Sequence, residues 1–250
     1  MVYCSIIIFG MFLNALTAND TMSFEKEQLK FERVRIASEE KTEIIKNLFI
    51  GKGILYPPEK IYFRVFKTEK LFEVWAFNSA IEKFVLINTY PICQKSGVIG
   101  PKRREGDYQV PEGFYNISVF NPMSNFFLSL GINYPNASDS ILTSNKQAPG
   151  SDIYIHGDCV SIGCIPLTDN YIKEVYLIAM KARESGQENI PVDIYPFKFN
   201  NPLYDKLLIS YKNDNIKEFW YSLKNRYTYF ENKNILPKIT ISNEGKYIIQ

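Results

Sequence analysis

The sequence predicts an α+β fold that is mainly β, with flanking helices. Three observations lead to this prediction. Between residues 57 and 198, short runs rich in β-branched and aromatic residues alternate with turn-forming segments, which is typical of strands. Apolar residues recur at helical spacing near the N-terminus and again over 170–185. The 250 residues are 46% hydrophobic and 22% charged, as expected for one globular domain with small additions.

The first 18 residues have the pattern of a secretory signal peptide. An apolar stretch runs to Leu16, and small residues follow at Thr17 and Ala18. The stretch is shorter than the roughly 20 apolar residues of a membrane span. No Lys or Arg precedes it, so an uncleaved N-terminal anchor is the alternative. Export with cleavage after Thr17 or Ala18 would leave a mature protein without a membrane span.

Residues 19–56 are predicted to form an N-terminal helical segment. Apolar residues continue at helical spacing up to Phe49, and Gly51 ends the pattern. Ser38 is the expected N-cap, with Glu39 and Glu40 at the positive end of the helix. We expect this amphipathic helix to pack on the main body.

Residues 57–198 are predicted to form the β-rich body. Strands are expected at 61–66, 71–77, 84–89, 113–120, 152–156 and 192–195, and a helix over 170–185 is capped by Thr168 or Asp169. Long loops at 97–111 and 121–150 separate them, and such loops often build a binding surface. Residues 199–250 are predicted as a small appendage, with a helix near 215–229 and a hairpin of 239–241 with 247–249.

Charge and histidine content exclude several functions. Lys and Arg number 29 against 27 Asp and Glu, so the net charge of +2 offers no broad basic field for nucleic acid. His156 is the sole histidine, which excludes every site that needs two imidazoles. Any imidazole chemistry therefore depends on His156.

His156 lies in a segment that suits nucleophilic thiol catalysis, residues 154–164 (YIHGDCVSIGC). Imidazole can accept a thiol proton and return it to a leaving amine, and an ion pair with His156 would lower the Cys164 pKa. Gly163 would let substrate approach, and the amides of Cys164 and a preceding residue could bind the oxyanion. Spacing alone does not choose between Cys159 and Cys164. Ser161 is expected to support the turn.

Two structural interpretations compete with catalysis. His156, Cys93, Cys159 and Cys164 would make a Cys3His zinc set, although no paired Cys-x-x-Cys spacing supports it. Alternatively, a buried neutral histidine could lie beside structural thiols. Removing the leader leaves three cysteines, so one pair and one free thiol is the simplest arrangement. We predict no metal and no cofactor.

Residues 155–169 (IHGDCVSIGCIPLTD) resemble the active-site signature of the L,D-transpeptidase (YkuD-type) catalytic domain family, in its YafK-like branch. Three upstream stretches agree with that branch in order: 96–107 (SGVIGPKRREGD), 111–115 (PEGFY) and 120–136 (FNPMSNFFLSLGINYPN). The resemblance covers about residues 33–198. It implies a β-sandwich catalytic domain in the periplasm or cell envelope that forms an acyl-enzyme with peptidoglycan stem peptides, without a cofactor.

The resemblance also implies the catalytic residues. It makes Cys164 the nucleophile and His156 the proton donor and acceptor, with the backbone carbonyl of Gly157 orienting the imidazole. Gly163 would lie in the oxyanion region, and Ser161 would support the site.

Since Cys93 and Cys159 both flank family-like segments, we further expect them to form a disulfide that leaves Cys164 free.

The sequence departs from the broader family at Ile162, where the common signature has a second histidine, and it has only seven residues between His156 and Cys164. Both departures are usual in the YafK-like branch, part of which resembles hydrolases that detach cross-linked protein from murein. Hydrolysis is therefore the alternative to transfer, with wall-linked protein as a further partner. A non-catalytic wall-binding module is the alternative of another class.

Three residues are expected to bind substrate. Lys102 and Arg103 belong to a basic loop that could attract an anionic substrate such as a diaminopimelate carboxylate, and a solvated surface turn is the equal alternative for that loop. Tyr134 is expected to line the cleft.

Overall fold

The computed structural model describes residues 23–250, so the predicted signal peptide lies outside the described residues. Helices and strands follow in the chain with these bounds: α1 Phe24–Gln28, α2 Glu32–Ile50, β1 Ile61–Phe66, β2 Leu71–Asn78, β3 Lys83–Pro91, β4 Gly113–Asn121, β5 Ser129–Ile132, α3 Ala137–Leu142, β6 Tyr154–His156, β7 Ile165–Pro166, α4 Asp169–Glu184, β8 Pro191–Tyr195, α5 Pro202–Ser210, α6 Asp214–Lys233, β9 Ile239–Ile241 and β10 Tyr247–Ile249.

Eight strands form one sheet in the order β3-β2-β1-β8-β4-β5-β6-β7. Strand β4 joins its two halves, because residues 113–116 pair with β8 and residues from 117 onward pair with β5. The β1–β8 and β6–β7 pairs are parallel, and the others are antiparallel. The predicted α+β class, mainly β with flanking helices, is confirmed.

The start predicted for the N-terminal helix is wrong. Helix α2 begins at Glu32, and Ser38 lies inside it, with its hydroxyl beside that of Thr42. The buried stripe extends toward the N-terminus to Val34 and Ala37, so apolar packing continues the helix through the proposed cap. Burial of this face outweighs the local preference of serine for a helix end.

The segment predicted as the loop 121–150 contains two regular elements, β5 and α3. Gly131 interrupts the β5 pattern, yet a Cβ there would lie 2.9 Å from the Tyr154 ring and 3.0 Å from Val119, so close strand pairing requires glycine. Helix α3 begins with a capping box between Asn136 and Asp139. The two-residue strand β7 and helix α5 were also not predicted, although Asn201 as N-cap and Pro202 in the first turn are signals for the start of α5.

One large apolar cluster lies between the sheet and helices α2 and α4, and it includes side chains from both halves of the sheet. A buried ion pair joins the two helices, with Lys41 Nζ 2.9 Å from Glu174 Oε1. Tyr90 of β3 donates to the other oxygen of Glu174 at 2.7 Å. Helix α4, which follows directly after the cysteine-rich segment, is thereby fixed to the sheet.

The C-terminal segment shares a second, aromatic cluster with the ends of the central strands. Arg226 of α6 donates to Asp193 of β8 at 2.6 Å, and both side chains are buried. Trp220 of the same helix donates to Glu112 at 2.7 Å. The segment expected as an appendage is therefore packed on the sheet. No helix within residues 23–250 has both the length and the apolar character needed to cross a bilayer.

Candidate active site

The pairing of β6 with β7 brings Cys164 toward His156. Cys164 directly precedes β7, and Ile155 of β6 is in register with Ile165 of β7. The amide N–H of Tyr154 accordingly donates to Cys164 Sγ at 3.4 Å. His156 lies two positions after Tyr154 in β6. His156 and Cys164, the catalytic residues that the resemblance implies, therefore lie at the same edge of the sheet.

The His156 side chain is held in one tautomer. It is 1% exposed, its ring packs against that of Phe126 at 4.6 Å between centroids, and Nδ1 lies 2.5 Å from the carbonyl oxygen of Gly157. A carbonyl can only accept, so Nδ1 carries the proton and Nε2 is left with its lone pair. The imidazole is thus prepared to act as a base through Nε2.

The peptide between Gly157 and Asp158 is itself anchored. Gly157 N–H donates to Leu128 O at 3.2 Å, and Asp158 N–H donates to Asp169 Oδ1 at 2.8 Å. In a trans peptide the carbonyl and the following N–H point in opposite directions, so Asp169 holds the Gly157 carbonyl toward His156. Sequence reasoning treated Asp169 only as a helix cap, although its place at the end of the motif was visible.

Gly157 has no room for a side chain. A Cβ there would lie 2.5 Å from Asp169 Oδ1 and 2.8 Å from Phe126 O. The absence of a side chain at this position lets the backbone pack against the start of α4 and still present its carbonyl to the imidazole.

A closed turn presents Cys164. The Ser161 hydroxyl donates to Cys164 O at 2.8 Å and accepts from Gly163 N–H at 3.2 Å. Gly163 has φ +136°, and a Cβ there would lie 3.2 Å from Gln109 O. Because the Gly163 amide is engaged by Ser161, and the Cys164 amide has no partner among residues 23–250, the Cys164 N–H is the donor available to an oxyanion.

The electrostatics favour a neutral thiol beside a neutral imidazole. Burial raises the pKa of Cys164 more than the Tyr154 N–H and the positive charge of Lys102 lower it, and Asp152 adds to the rise. Burial also lowers the pKa of His156 against the opposing effects of the Gly157 carbonyl and Asp158. The sequence led us to expect an ion pair that lowers the Cys164 pKa; that direction is wrong in the unliganded structure, because both groups are desolvated.

The cysteines divide into a pair and a free thiol. Cys93 and Cys159 are joined in a disulfide with a Cα–Cα distance of 5.6 Å, and Cys164 is the free cysteine of the described residues. The Cys93 N–H also donates to Pro166 O of β7 at 3.1 Å. The zinc alternative loses two of its four ligands to this bond. Residues 23–250 contain no cluster of three or more His, Cys, Asp or Glu that could hold a metal ion.

The predicted substrate-binding residues make internal contacts. Lys102 is buried and its Nζ lies 2.7 Å from Asp107 Oδ1, while Arg103 lies 3.2 Å from Asp139 Oδ1 and over the Phe219 ring. Lys102 and Arg103 are therefore anchored by internal ion pairs, whereas residues 104–106 form an exposed turn.

Tyr134 is buried and donates to Pro149 O at 2.9 Å, so its hydroxyl holds the 143–152 loop. None of the three side chains is placed with a free polar group beside Cys164.

A set of lysines that was not predicted from the sequence lines one pocket together with Cys164. A small pocket is lined by Cys164, Lys67, Lys70 and Lys95 together with neighbouring residues, and we call it the lysine pocket. The lysines come from the β1–β2 turn and from the segment after β3, far from Cys164 in sequence. No local motif connects them, so only the tertiary structure reveals the cluster.

Comparison with known proteins gives a family match. The model of the YkuD family, described as the L,D-transpeptidase catalytic domain, matches residues 61–194. Proteins provisionally named L,D-transpeptidase YafK, from Escherichia coli strain K12 and from Escherichia coli O157:H7, are each 35% identical over 191 residues. Each alignment covers 76% of this chain and 73% of the relative.

Two solved structures show weaker likeness. The helical cell shape determining protein Pgp2 from Campylobacter jejuni is 19% identical with a TM-score of 0.40, covering 79% of this chain and 80% of its own. Bd1075 from Bdellovibrio bacteriovorus is 23% identical with a TM-score of 0.40, covering 57% and 50%. Scores at this level support no argument about the site.

Proposed function

Because the chain belongs to the YkuD L,D-transpeptidase catalytic domain family, we propose that it is a cysteine acyl-transferase that acts on stem peptides of peptidoglycan. The observation that carries the proposal is Cys164, the one free thiol among residues 23–250, at the edge of the strand that ends in His156. The tautomer fixed by Gly157 leaves Nε2 available as the base that this chemistry needs.

In the first step Cys164 attacks a peptide carbonyl carbon. Nε2 of His156 takes the thiol proton as the S–C bond forms, since both groups begin neutral. The Cys164 N–H stabilises the tetrahedral oxyanion. The intermediate then expels the amine, to which the imidazolium returns the proton as the C–N bond breaks. A thioester and neutral imidazole remain.

The second step depends on the nucleophile that reaches the thioester. An amine of another stem peptide gives transfer and a new cross-link, whereas water gives hydrolysis. In both cases His156 removes a proton from the incoming group and returns it to the Cys164 sulfur as the C–S bond breaks. Hydrolysis that releases peptide or wall-linked protein is the alternative within the same mechanism.

Product analysis tests the proposal. The protein and its Cys164→Ala and Cys164→Ser variants are incubated with defined muropeptides, some carrying cross-linked protein, and the products are identified by mass spectrometry. New dimers indicate transfer, and released monomers or freed protein indicate hydrolysis. A thioester adduct with the mass of the donor less that of the expelled amine should form on Cys164 alone. Equal activity of Cys164→Ala and wild type would refute the mechanism, and no adduct with any donor would support a wall-binding module.

We also propose that the mature protein is exported to the cell envelope with the Cys93–Cys159 disulfide formed. Two observations support this, the N-terminal pattern and the proximity of the two cysteines, because disulfides persist in oxidising compartments outside the cytosol. The mass of the exported protein tests cleavage after Thr17 or Ala18. Thiol counting before and after reduction tests the pairing, and three free thiols in the native form would refute it.

A further inference from the structure

Two cations of the lysine pocket have no partner within the described chain. Lys102, the cation first expected to attract substrate, is paired with Asp107, and Lys67 is paired with Glu112. Lys70 and Lys95 are exposed, and neither ammonium group makes a salt bridge or hydrogen bond with any residue of 23–250. Both nevertheless line the pocket that contains Cys164.

Backbone contacts link the segments that carry these two lysines to the elements around Cys164. Lys70 ends the β1–β2 turn in the left-handed conformation, with φ 54°, and its carbonyl accepts from Ile92 N–H at 2.8 Å. The next residue, Cys93, is bound to β7 through its N–H to Pro166 O and to the nucleophile loop through the disulfide. The segment 92–95 therefore runs from the turn to the edge of β7, and Lys95 lies at its end.

The buried Lys67 forms the floor of the pocket and is fully satisfied. Its side chain is 3% exposed, and Nζ donates to Gly100 O, Val110 O and Glu112 Oε1, each at 2.8 Å. Three acceptors use all three ammonium protons, and the Glu112 carboxylate balances the charge. The charges of Lys70 and Lys95 are left without such compensation, so the side of the pocket that they line is positively charged.

We propose that Lys70 and Lys95 form an anion subsite for a carboxylate of the peptide substrate, next to the carbonyl that Cys164 attacks. The identity of the substrate rests on the proposed function, whereas the anion preference rests on the lysine pocket. A stem peptide offers carboxylates as its anionic groups, and a lysine ammonium binds one as a compact charge on a flexible stem. A peptide in which this carboxylate is amidated would lack the negative charge and lose the contact with the lysines.

Alkylation of Cys164 tests the subsite without requiring enzyme activity. Iodoacetate and iodoacetamide attach to the same sulfur and release iodide, but only iodoacetate is anionic. We compare their rate constants on the full chain, for wild type, Lys70→Gln, Lys95→Gln and the double variant. Lys83→Gln is the matched control, because this exposed lysine begins the nine-residue strand β3 and so lies roughly 25 Å from the end that leads to Lys95.

The double variant should lower the ratio of iodoacetate to iodoacetamide rates by about three- to tenfold at low ionic strength, and added salt should diminish the effect. Lys83→Gln should leave the ratio at the wild-type value. An unchanged ratio in the double variant would overturn the subsite, whatever the protein does with muropeptides.

The second arm uses stem peptides with a free or an amidated carboxylate. Wild type should prefer the free carboxylate, mainly through KM, and the double variant should lose that preference while kcat on the amidated peptide stays the same. Equal preference in wild type and double variant would refute the assignment of a substrate carboxylate. If the alkylation ratio falls but wild type forms no product from any muropeptide, the subsite stands and the proposed function fails.

Discussion

The pH dependence of Cys164 alkylation distinguishes a neutral pair from a preformed ion pair. The perturbation is a change from pH 6.5 to pH 8, measured with neutral iodoacetamide on wild type and on His156→Gln. Burial raises the pKa of the thiol and lowers that of the imidazole, so over this range the imidazole is mainly neutral and the thiolate is a minor species. Iodoacetamide reacts with the thiolate alone.

The magnitude follows from the direction of the shift. An ordinary cysteine has a pKa of about 8.5, and Cys164 lies above that, so its thiolate fraction rises almost tenfold per pH unit and about thirtyfold over this range. His156→Gln should change the rate at pH 8 by less than about threefold, because a neutral imidazole contributes little to thiolate formation.

The assay is the rate of mass increase on Cys164, with N-acetylcysteine in the same buffer as the reference thiol. Between pH 6.5 and pH 8 the rate at Cys164 should rise about thirtyfold, at least as steeply as the rate of the reference thiol. A rate that is already constant at pH 6.5, and that collapses in His156→Gln, would refute the neutral pair and restore the thiolate–imidazolium pair first expected from the sequence.

Other perturbations test the remaining contacts. Because burial lowers the pKa of His156, the acid limb of kcat/KM should have its midpoint below about 6.5, and a midpoint above 7 would contradict this. Ser161→Ala should lower kcat about tenfold with an unchanged circular dichroism spectrum, since two turn hydrogen bonds are lost. Asp169→Asn should lower kcat about fivefold at constant KM, through a weaker bond to the peptide that orients His156. Arg226→Met should lower the free energy of unfolding in urea by about 3–5 kcal/mol by leaving Asp193 buried without its cation, and adding Asp193→Asn should recover most of the loss.

The parts of the fold that could be predicted are those encoded by local patterns. Strands β1 and β2 are rich in β-branched and aromatic residues and flank a polar turn. Helix α4 carries an apolar stripe between a threonine cap and Gly186. The predicted bounds of these three elements therefore nearly coincide with the observed ones. Strand β5 was missed because Gly131 has no strand preference of its own and is required by the Tyr154 ring of the neighbouring strand. The reason for glycine at this position is therefore visible only in the tertiary structure.

In the candidate site, too, the residues of a local motif could be predicted, whereas those brought together by the tertiary structure could not. His156 and Cys164 stand eight positions apart, so a motif could indicate both. The role of Asp169 needs the folded path of the peptide after His156, and the grouping of Lys70 and Lys95 needs the β1–β2 turn to meet the segment after β3. The directions of the two pKa shifts likewise arise from burial, which is a property of the tertiary structure.

The hydrogen bond from Trp220 connects the C-terminal segment to the lysine pocket. Trp220 N–H binds one oxygen of Glu112, whose other oxygen binds Lys67 at the floor of the pocket. Displacing α6 would leave a buried carboxylate oxygen unpaired, at a cost of about 1–3 kcal/mol. Through Trp220, the last fifty residues therefore help to hold the Lys67–Glu112 pair that lines the lysine pocket.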